Sequence, residues 1–297
     1  MIKDYIVCFN ILILALMLFI SKAKAQLQYT GSIGSYPIQL FADLQAGNGV
    51  YVYKKINTPI SLSITLKEGA LKLIERDGTG KKEVASFVFE HFDAHASSIV
   101  GIWKNLSSGK PLPIHLKLDY DFKEDGQDQN WKDKEVLQAV SLKDQYFKTV
   151  LSKPKGEHYA SVNQVKIIDK KTNVVKQEFK VDCQEMGMSS ISLGDFNFDG
   201  FTDFAVFETS YAGPNTSSLY YLYNPKSESF EASEIRGISL EFDPELKRII
   251  ETNQSSAGRE RRVTIYKVVK NKMVVVEDHD YIWDEKIQDY VEAKSKK

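Results

Sequence analysis

Apolar and polar residues alternate along most of the chain beyond residue 25, and helical spacing is scarce. Ile60-Ser61-Leu62-Ser63-Ile64-Thr65-Leu66 alternates residue by residue, the pattern of a strand with one face buried and one face wet, and Val50 to Tyr53 reads the same way. Further strands are predicted over 38–44, 49–54, 71–75, 84–89, 99–103 and 114–118, each bounded by turn-forming residues such as Ala46-Gly47-Asn48-Gly49 and Asp77-Gly78-Thr79-Gly80. After residue 146 the strand pattern returns over 147–152, 162–169, 174–181, 204–208, 219–223, 249–251, 263–269, 272–277 and 279–283, with Lys270-Asn271 as a tight turn. Between Asp119 and Asp144 the pattern breaks. Acidic residues crowd this stretch, and Glu135 to Val140 reads as a short helical turn, so residues 119–145 are expected to be an acidic linker.

The fold class this predicts is all-β. Residues 26–118 form an antiparallel meander that closes as a small barrel or packs as a sandwich, and residues 146–297 form a β domain with the strand-loop cadence of propeller blades. Before them, Lys3, an apolar run from Ile6 to Ile20 and Ala23-Lys24-Ala25 read as a signal peptide over 1–25, cleaved before Gln26. The run is short for a membrane span, so none is expected after cleavage, and the expected location is periplasmic or secreted. Cleavage removes three lysines and one aspartate and moves the net charge from −1 to −3, which offers no basic field to a nucleic acid. It also removes Cys8. Cys183 is then the only cysteine, so no internal disulfide can form, and beside an apolar strand it reads as a small core residue.

The candidate chemistry lies in Asp195-Phe196-Asn197-Phe198-Asp199-Gly200-Phe201-Thr202-Asp203. Oxygen-bearing side chains fall at the first, third, fifth and ninth positions, and a glycine stands at the sixth, where a loop around an ion must turn sharply. Asp195, Asn197, Asp199 and Asp203, with the main-chain carbonyl of Phe201, make an all-oxygen set suited to Ca²⁺ more than to Mg²⁺. Val206 stands where an EF-hand needs a bidentate glutamate, and strands flank the loop, so the predicted site is a β-rich calcium loop. The alternative is an acidic turn that binds no ion. Such an extracellular loop binds with a dissociation constant of roughly 10⁻⁴ to 10⁻³ M, and in millimolar calcium that adds on the order of 1 kcal/mol to stability.

After the following strand comes a small-residue loop in which Ser210, Tyr211, Gly213 and Asn215 are the candidate partner contacts, with Tyr211 as a rigid aromatic anchor on a loop braced by the ion. Tyr220 to Tyr223 read as residues of a half-buried strand. His91 and His95 lie four apart between strands and read as turn residues, and His115, His158 and His279 have no evident partners. There is no nucleophile elbow, phosphate loop or Cys/His pair, so the chain is expected not to be an enzyme; two carboxylates brought about 5 to 9 Å apart in one cleft would reopen that question.

Leu193 to Asp203, Tyr211-Ala212-Gly213-Pro214-Asn215-Thr216 and Leu222-Tyr223-Asn224-Pro225 together resemble calcium-binding, β-propeller-like periplasmic proteins. That group includes immunity proteins against type IV secreted peptidoglycan hydrolases and is related in fold to bacterial lysozyme inhibitors. The resemblance covers about residues 146 to 283, and the N-terminal half looks like a small accessory β domain. It implies that Asp195, Asn197, Asp199 and Asp203 hold calcium, and that the loop from Tyr211 to Ser218 approaches the cleft of a cell-wall lytic enzyme. The related inhibitors carry an S-G-x-x-Y loop where this sequence has Ser210-Tyr211-Ala212-Gly213. A glycan-binding surface module, with calcium as scaffold and Tyr211 or Trp283 as stacking platform, is the other expectation.

Overall fold

The computed structural model describes residues 26–122, 130–157 and 159–293, and within them every regular element is a strand or a single 3₁₀ turn. The expected signal peptide and His158 lie outside the described residues. Among the described residues no helix is long and apolar enough to cross a membrane. The chain divides into two compact units, with the main boundary between residues 126 and 127 and the short segment Lys55–Pro59 grouped with the second unit.

The first unit is a closed antiparallel barrel of eight strands: β1 (Gln26–Ile33), β2 (Tyr36–Asp43), β3 (Asn48–Tyr53), β4 (Ile60–Lys67), β5 (Ala70–Arg76), β6 (Glu83–Phe89), β7 (Ser98–Asn105) and β8 (Pro111–Phe122). Each strand pairs with its sequence neighbour, and β1 closes the barrel by pairing with β8 from Gln26↔Phe122 to Ile33↔Ile114. Alternation is what makes this possible. Leu62 and Ile64 on β4 point inward with Leu71 and Leu73, Phe87 and Phe89, and Leu27 and Tyr29, while the serines and threonine between them face water. Side chains fill the interior.

The second unit holds three successive antiparallel meanders. The first comprises β9 (Trp131–Ser141), β10 (Gln145–Lys153), β11 (Ser161–Asp169) and β12 (Val175–Gln184). The second comprises β13 (Ile191–Gly194), β14 (Asp203–Ser210), β15 (Thr216–Asn224) and β16 (Ser229–Ala232). The third has five strands, β17 (Leu240–Asp243), β18 (Arg248–Ser255), β19 (Glu260–Val269), β20 (Lys272–Asp284) and β21 (Asp289–Glu292).

Two expectations are corrected here. The acidic linker is shorter than 119–145: β8 runs on to Phe122, with Asp119 accepting a hydrogen bond from the Thr30 hydroxyl at 2.9 Å, and β9 already begins at Trp131. Glu135 to Val140 lies inside β9 and is not a helical turn. Glutamate, leucine, glutamine and alanine favour helix, but pairing with β10 overrides that weak preference. Both faces of β9 are covered, so Val136, Leu137 and Gln138 are all buried and the period of two is lost. Glu135 receives Lys148 Nζ at 2.9 Å and Lys166 Nζ at 2.8 Å, and Gln138 donates to Thr149 Oγ1 and to the Gly187 carbonyl while accepting from Ser190 N–H. In the third sheet, the segments 272–277 and 279–283 form the single strand β20, which absorbs a bulge opposite Ile265 and Tyr266.

The middle sheet is buried on both faces. Phe204 and Tyr221 stack at 4.6 Å and face Phe147 and Phe179 of the first sheet, whereas Tyr220 points the other way, 5.2 Å from Phe242 of the third. Cys183 on β12 is buried as the sequence suggests. Burial, helped by the nearby carboxylates of Glu208 and Asp182, pushes its thiol up to about 12, so at neutral pH the reactive thiolate is almost absent. Alkylation by iodoacetamide at pH 8 is therefore expected to be at least about a hundredfold slower in the native protein than in urea. Comparable rates in the two conditions would place the thiol at the surface.

Candidate metal loop and partner-binding end

The acidic loop is the turn between β13 and β14, and its alternating sequence explains its shape. Phe196 and Phe198 turn into the core between the second and third sheets, with Phe196 4.9 Å from Tyr220 and 4.8 Å from Phe242, so the oxygen-bearing residues between them are left to face one another. Gly194 is required just before the loop, because a Cβ there would come within 2.8 Å of the Phe196 ring. Gly200 has φ +91°, open only to glycine at low cost, and Phe198 holds a left-handed φ of 62°.

The side-chain oxygens knit the turn together. Asp195 accepts the main-chain N–H of Asp199 at 3.0 Å and of Gly200 at 2.8 Å. Asp199 accepts Phe201 N–H at 2.9 Å and Asn197 Nδ2 at 2.8 Å, while Asn197 Oδ1 accepts the N–H of Asp199. Asn197 Nδ2 also donates to Asn271 Oδ1 at 3.0 Å and Lys247 Nζ reaches the Phe198 carbonyl at 3.4 Å, which ties the loop to two turns of the third sheet.

Asp203 behaves differently from the others. It is fully buried, and its two oxygens accept the main-chain N–H groups of Phe196 and Tyr223, each at 2.8 Å. Burial pushes its carboxyl up to about 6 against the opposing pull of those two hydrogen bonds, and the charges of Asp199 and Asp195 add to the rise. Among the described residues no three His, Cys, Asp or Glu side chains converge as a metal-holding group. The donors available to a cation are therefore mixed: carboxylates of Asp195 and Asp199, the amide oxygen of Asn197 and the carbonyl of Phe201. Each carboxylate oxygen keeps a lone pair beyond the one used by its N–H donor, and an all-oxygen set of this kind fits a hard cation.

The candidate contact loop is the turn between β14 and β15. Tyr211 is 49% exposed, with its main-chain N–H on the Asn215 carbonyl at 2.8 Å and its hydroxyl 3.3 Å from Ser217 Oγ. Ser210 N–H donates to Gln184 Oε1, and Gly213 takes φ +73°. Asn215 is buried, not exposed. Its Nδ2 donates to the Gln254 carbonyl at 2.7 Å and to Asn253 Oδ1 at 3.2 Å, and its Oδ1 accepts Gln254 N–H at 3.0 Å, so it clamps the loop to β18.

The expected bracing of this loop by the ion is not what the fold provides. Consecutive turns of a meander leave from opposite ends, so the eight residues of β14 hold the two loops about 25 Å apart. At the end shared with Tyr211 and Asn215, residues of β18, β19 and β20 line an open cleft of about 420 Å³. Sequence reasoning did not find this cleft, because its residues are joined only by strand register. His279 has partners too: it sits 2.7 Å from Glu292 and 3.4 Å from Glu277, and those two carboxylates raise its imidazole above the ordinary value.

No family model and no curated protein matches the chain. Among solved structures it overlaps a Xanthomonas type IV secretion system related protein at 11% identity and a TM-score of 0.28, covering 67% of this chain and 90% of that one. A protein from Lactobacillus plantarum overlaps at 10% identity and a TM-score of 0.25, with 91% and 95% covered, and an oligogalacturonate lyase from Vibrio parahaemolyticus at 8% and 0.24, with 87% and 76% covered. Overlaps this low do not establish a shared fold, and nothing about this chain's activity is taken from them.

Proposed function

We propose that this chain is an exported, calcium-stabilised, all-β binding protein whose C-terminal unit engages a cell-wall lytic enzyme and blocks it. The observation that carries the reading is the division of the middle sheet. One end bears a turn whose side-chain oxygens face inward, and the other bears a clamped loop with a half-exposed tyrosine. In this reading the cation is held by Asp195, Asn197, Asp199 and the Phe201 carbonyl, while Asp203 anchors the loop to β15. Bound calcium supplies positive charge among carboxylates and so stabilises the turn; it takes part in no reaction.

Tyr211 presents a rigid ring at small entropic cost, because its backbone is held by Asn215 and Asn215 is held by β18. The test has two parts. Millimolar calcium added to chelated protein is expected to raise the melting temperature by the equivalent of about 1 kcal/mol, and Asp199→Ala to abolish the rise. Periplasmic peptidoglycan hydrolases are expected to lose lytic activity when mixed with the protein, and Tyr211→Ala to weaken that inhibition at least about tenfold. A panel of hydrolases left fully active would overturn the reading, and binding on a glycan array would favour a glycan module instead.

A further inference from the structure

Strand β20 is covered by its outer neighbour over only part of its length. It runs for thirteen residues, Lys272–Asp284, and β21 pairs with it from Tyr281↔Glu292 to Asp284↔Asp289. One further main-chain bond, from Ala293 N–H to the Asp280 carbonyl at 2.7 Å, ends that ladder. From Lys272 to His279 the side of β20 away from β19 therefore has no strand beside it among the described residues, and the main-chain groups that point there are open to a partner. The other edge strands of the second and third sheets, β13, β16, β17 and β21, have four residues each, which is too short to hold one. The open stretch of β20 is also apolar in its middle: Val274, Val275 and Val276 are 41%, 56% and 42% exposed. Successive exposed valines on an unpaired edge favour the addition of another strand.

Charge selects which strand that is. Along the chain this edge is basic first, at Lys270 and Lys272, then apolar from Met273 to Val276, then acidic at Glu277, Asp278 and Asp280. Two such edges match each other only when they run antiparallel, because each basic end then lies beside the acidic end of the other; run parallel, they set like charges together. An antiparallel pair of identical strands is also what a two-fold axis gives. The contacts within one copy leave these charges available. Lys272 pairs with Glu234 at 2.9 Å, but the two side chains are 63% and 72% exposed, so that bond is readily exchanged. Asp278 is held by Arg262, so the acidic end is carried by Asp280 and by Glu277, which spends one oxygen on His279.

We propose that β20 pairs with β20 of a second copy of this chain, about a two-fold axis near Val274 and Val275, so that the third sheets of the two copies join into one continuous sheet. This stands apart from the inhibitor reading, since it uses neither Tyr211 nor the oxygen donors of the acidic turn. The bulge at Val276 bends the edge and divides the new ladder, and an edge of this length falls well short of a standard interface of about 1,600 Å². Association is therefore expected to be weak, with a dissociation constant of roughly 10⁻⁵ to 10⁻⁴ M.

Analytical ultracentrifugation of the protein between about 5 and 500 µM is expected to show a reversible monomer–dimer equilibrium. Val275→Lys, which sets two ammonium groups against each other near the axis, is expected to weaken it at least about tenfold. Val275 is exposed, so an unchanged melting temperature confirms that the variant folds. The sharper test exchanges charge. The Lys270→Glu, Lys272→Glu double variant has an edge that is acidic at both ends, and the Glu277→Lys, Asp280→Lys double variant has one that is basic at both ends. Each alone is expected to stay monomeric, and the two mixed are expected to pair at least as tightly as the original chain. A chain that is monomeric at the highest concentration, a dimer indifferent to Val275→Lys, or a mixture that does not pair would overturn the proposal. So would protection of the amides of residues 273–279 from hydrogen exchange by an added extended peptide while the chain itself stays monomeric, which would assign the edge to a foreign strand.

Discussion

Asp203→Ala is expected to lower the free energy of unfolding by about 3 kcal/mol, measured by urea denaturation followed through tyrosine and tryptophan fluorescence. The carboxylate lies at zero exposure and is the acceptor for two main-chain N–H groups, those of Phe196 and Tyr223. Alanine removes both acceptors. An orphaned buried N–H costs about 1 to 3 kcal/mol, which sets the loss at about 2 to 6 kcal/mol before any relief. Relief comes from no longer burying a carboxyl whose proton affinity burial has raised to about 6, and it brings the expectation to the lower half of that range. Asp203→Asn keeps one oxygen but turns an NH₂ group toward the second donor, so it recovers only part of the loss. A loss below about 1 kcal/mol in the alanine variant would show that the two N–H groups find other acceptors, and Asp203 would no longer be the anchor of the turn.

Phe204→Ala has the larger expected effect, about 4 kcal/mol. The ring is wholly buried and lies 5.3 Å from Phe147, 5.7 Å from Phe179, 4.6 Å from Tyr221 and 5.0 Å from Phe230, so its removal opens a void at the junction of the first and second sheets of the C-terminal unit. Four aromatic neighbours cannot all move in to fill it, because each is fixed by its own strand. Phe204→Leu fills most of the volume and is expected to cost less than half as much. Calorimetry on the full chain reports whether the barrel's transition stays in place while that of the C-terminal unit moves. A loss below about 1.5 kcal/mol for the alanine variant would mean that the cluster is loosely packed.

These two residues also show what can be read from the sequence. The acidic turn was legible because its information is local: oxygen donors at alternate positions, a glycine at the sixth and aromatic residues between them. The barrel was legible for a related reason, since each of its strands buries one face and therefore alternates. Strand β9 was not. With Val136, Leu137 and Gln138 all buried, alternation vanishes and helix propensity is the only remaining signal. The separation of Tyr211 from the acidic turn was readable in principle, because two turns joined by one strand must lie at its opposite ends. The cleft could not be read. Asn253, Glu260 and Asp280 become neighbours only through the pairing Asn253↔Arg262↔Asp280, and ladder register is invisible in a single sequence. The partners of His279 were hidden in the same way, with Glu292 arriving on β21.

Strand β14 acts as a spacer with a different turn at each end. Residues 211–214 can be exchanged or lengthened without disturbing a hydrogen bond of the acidic turn, since none of that turn's bonds reaches them. The same scaffold can therefore accept a grafted loop at one end only, with Asn215 kept as the hinge pin and the turn at the far end left as a fixed keel.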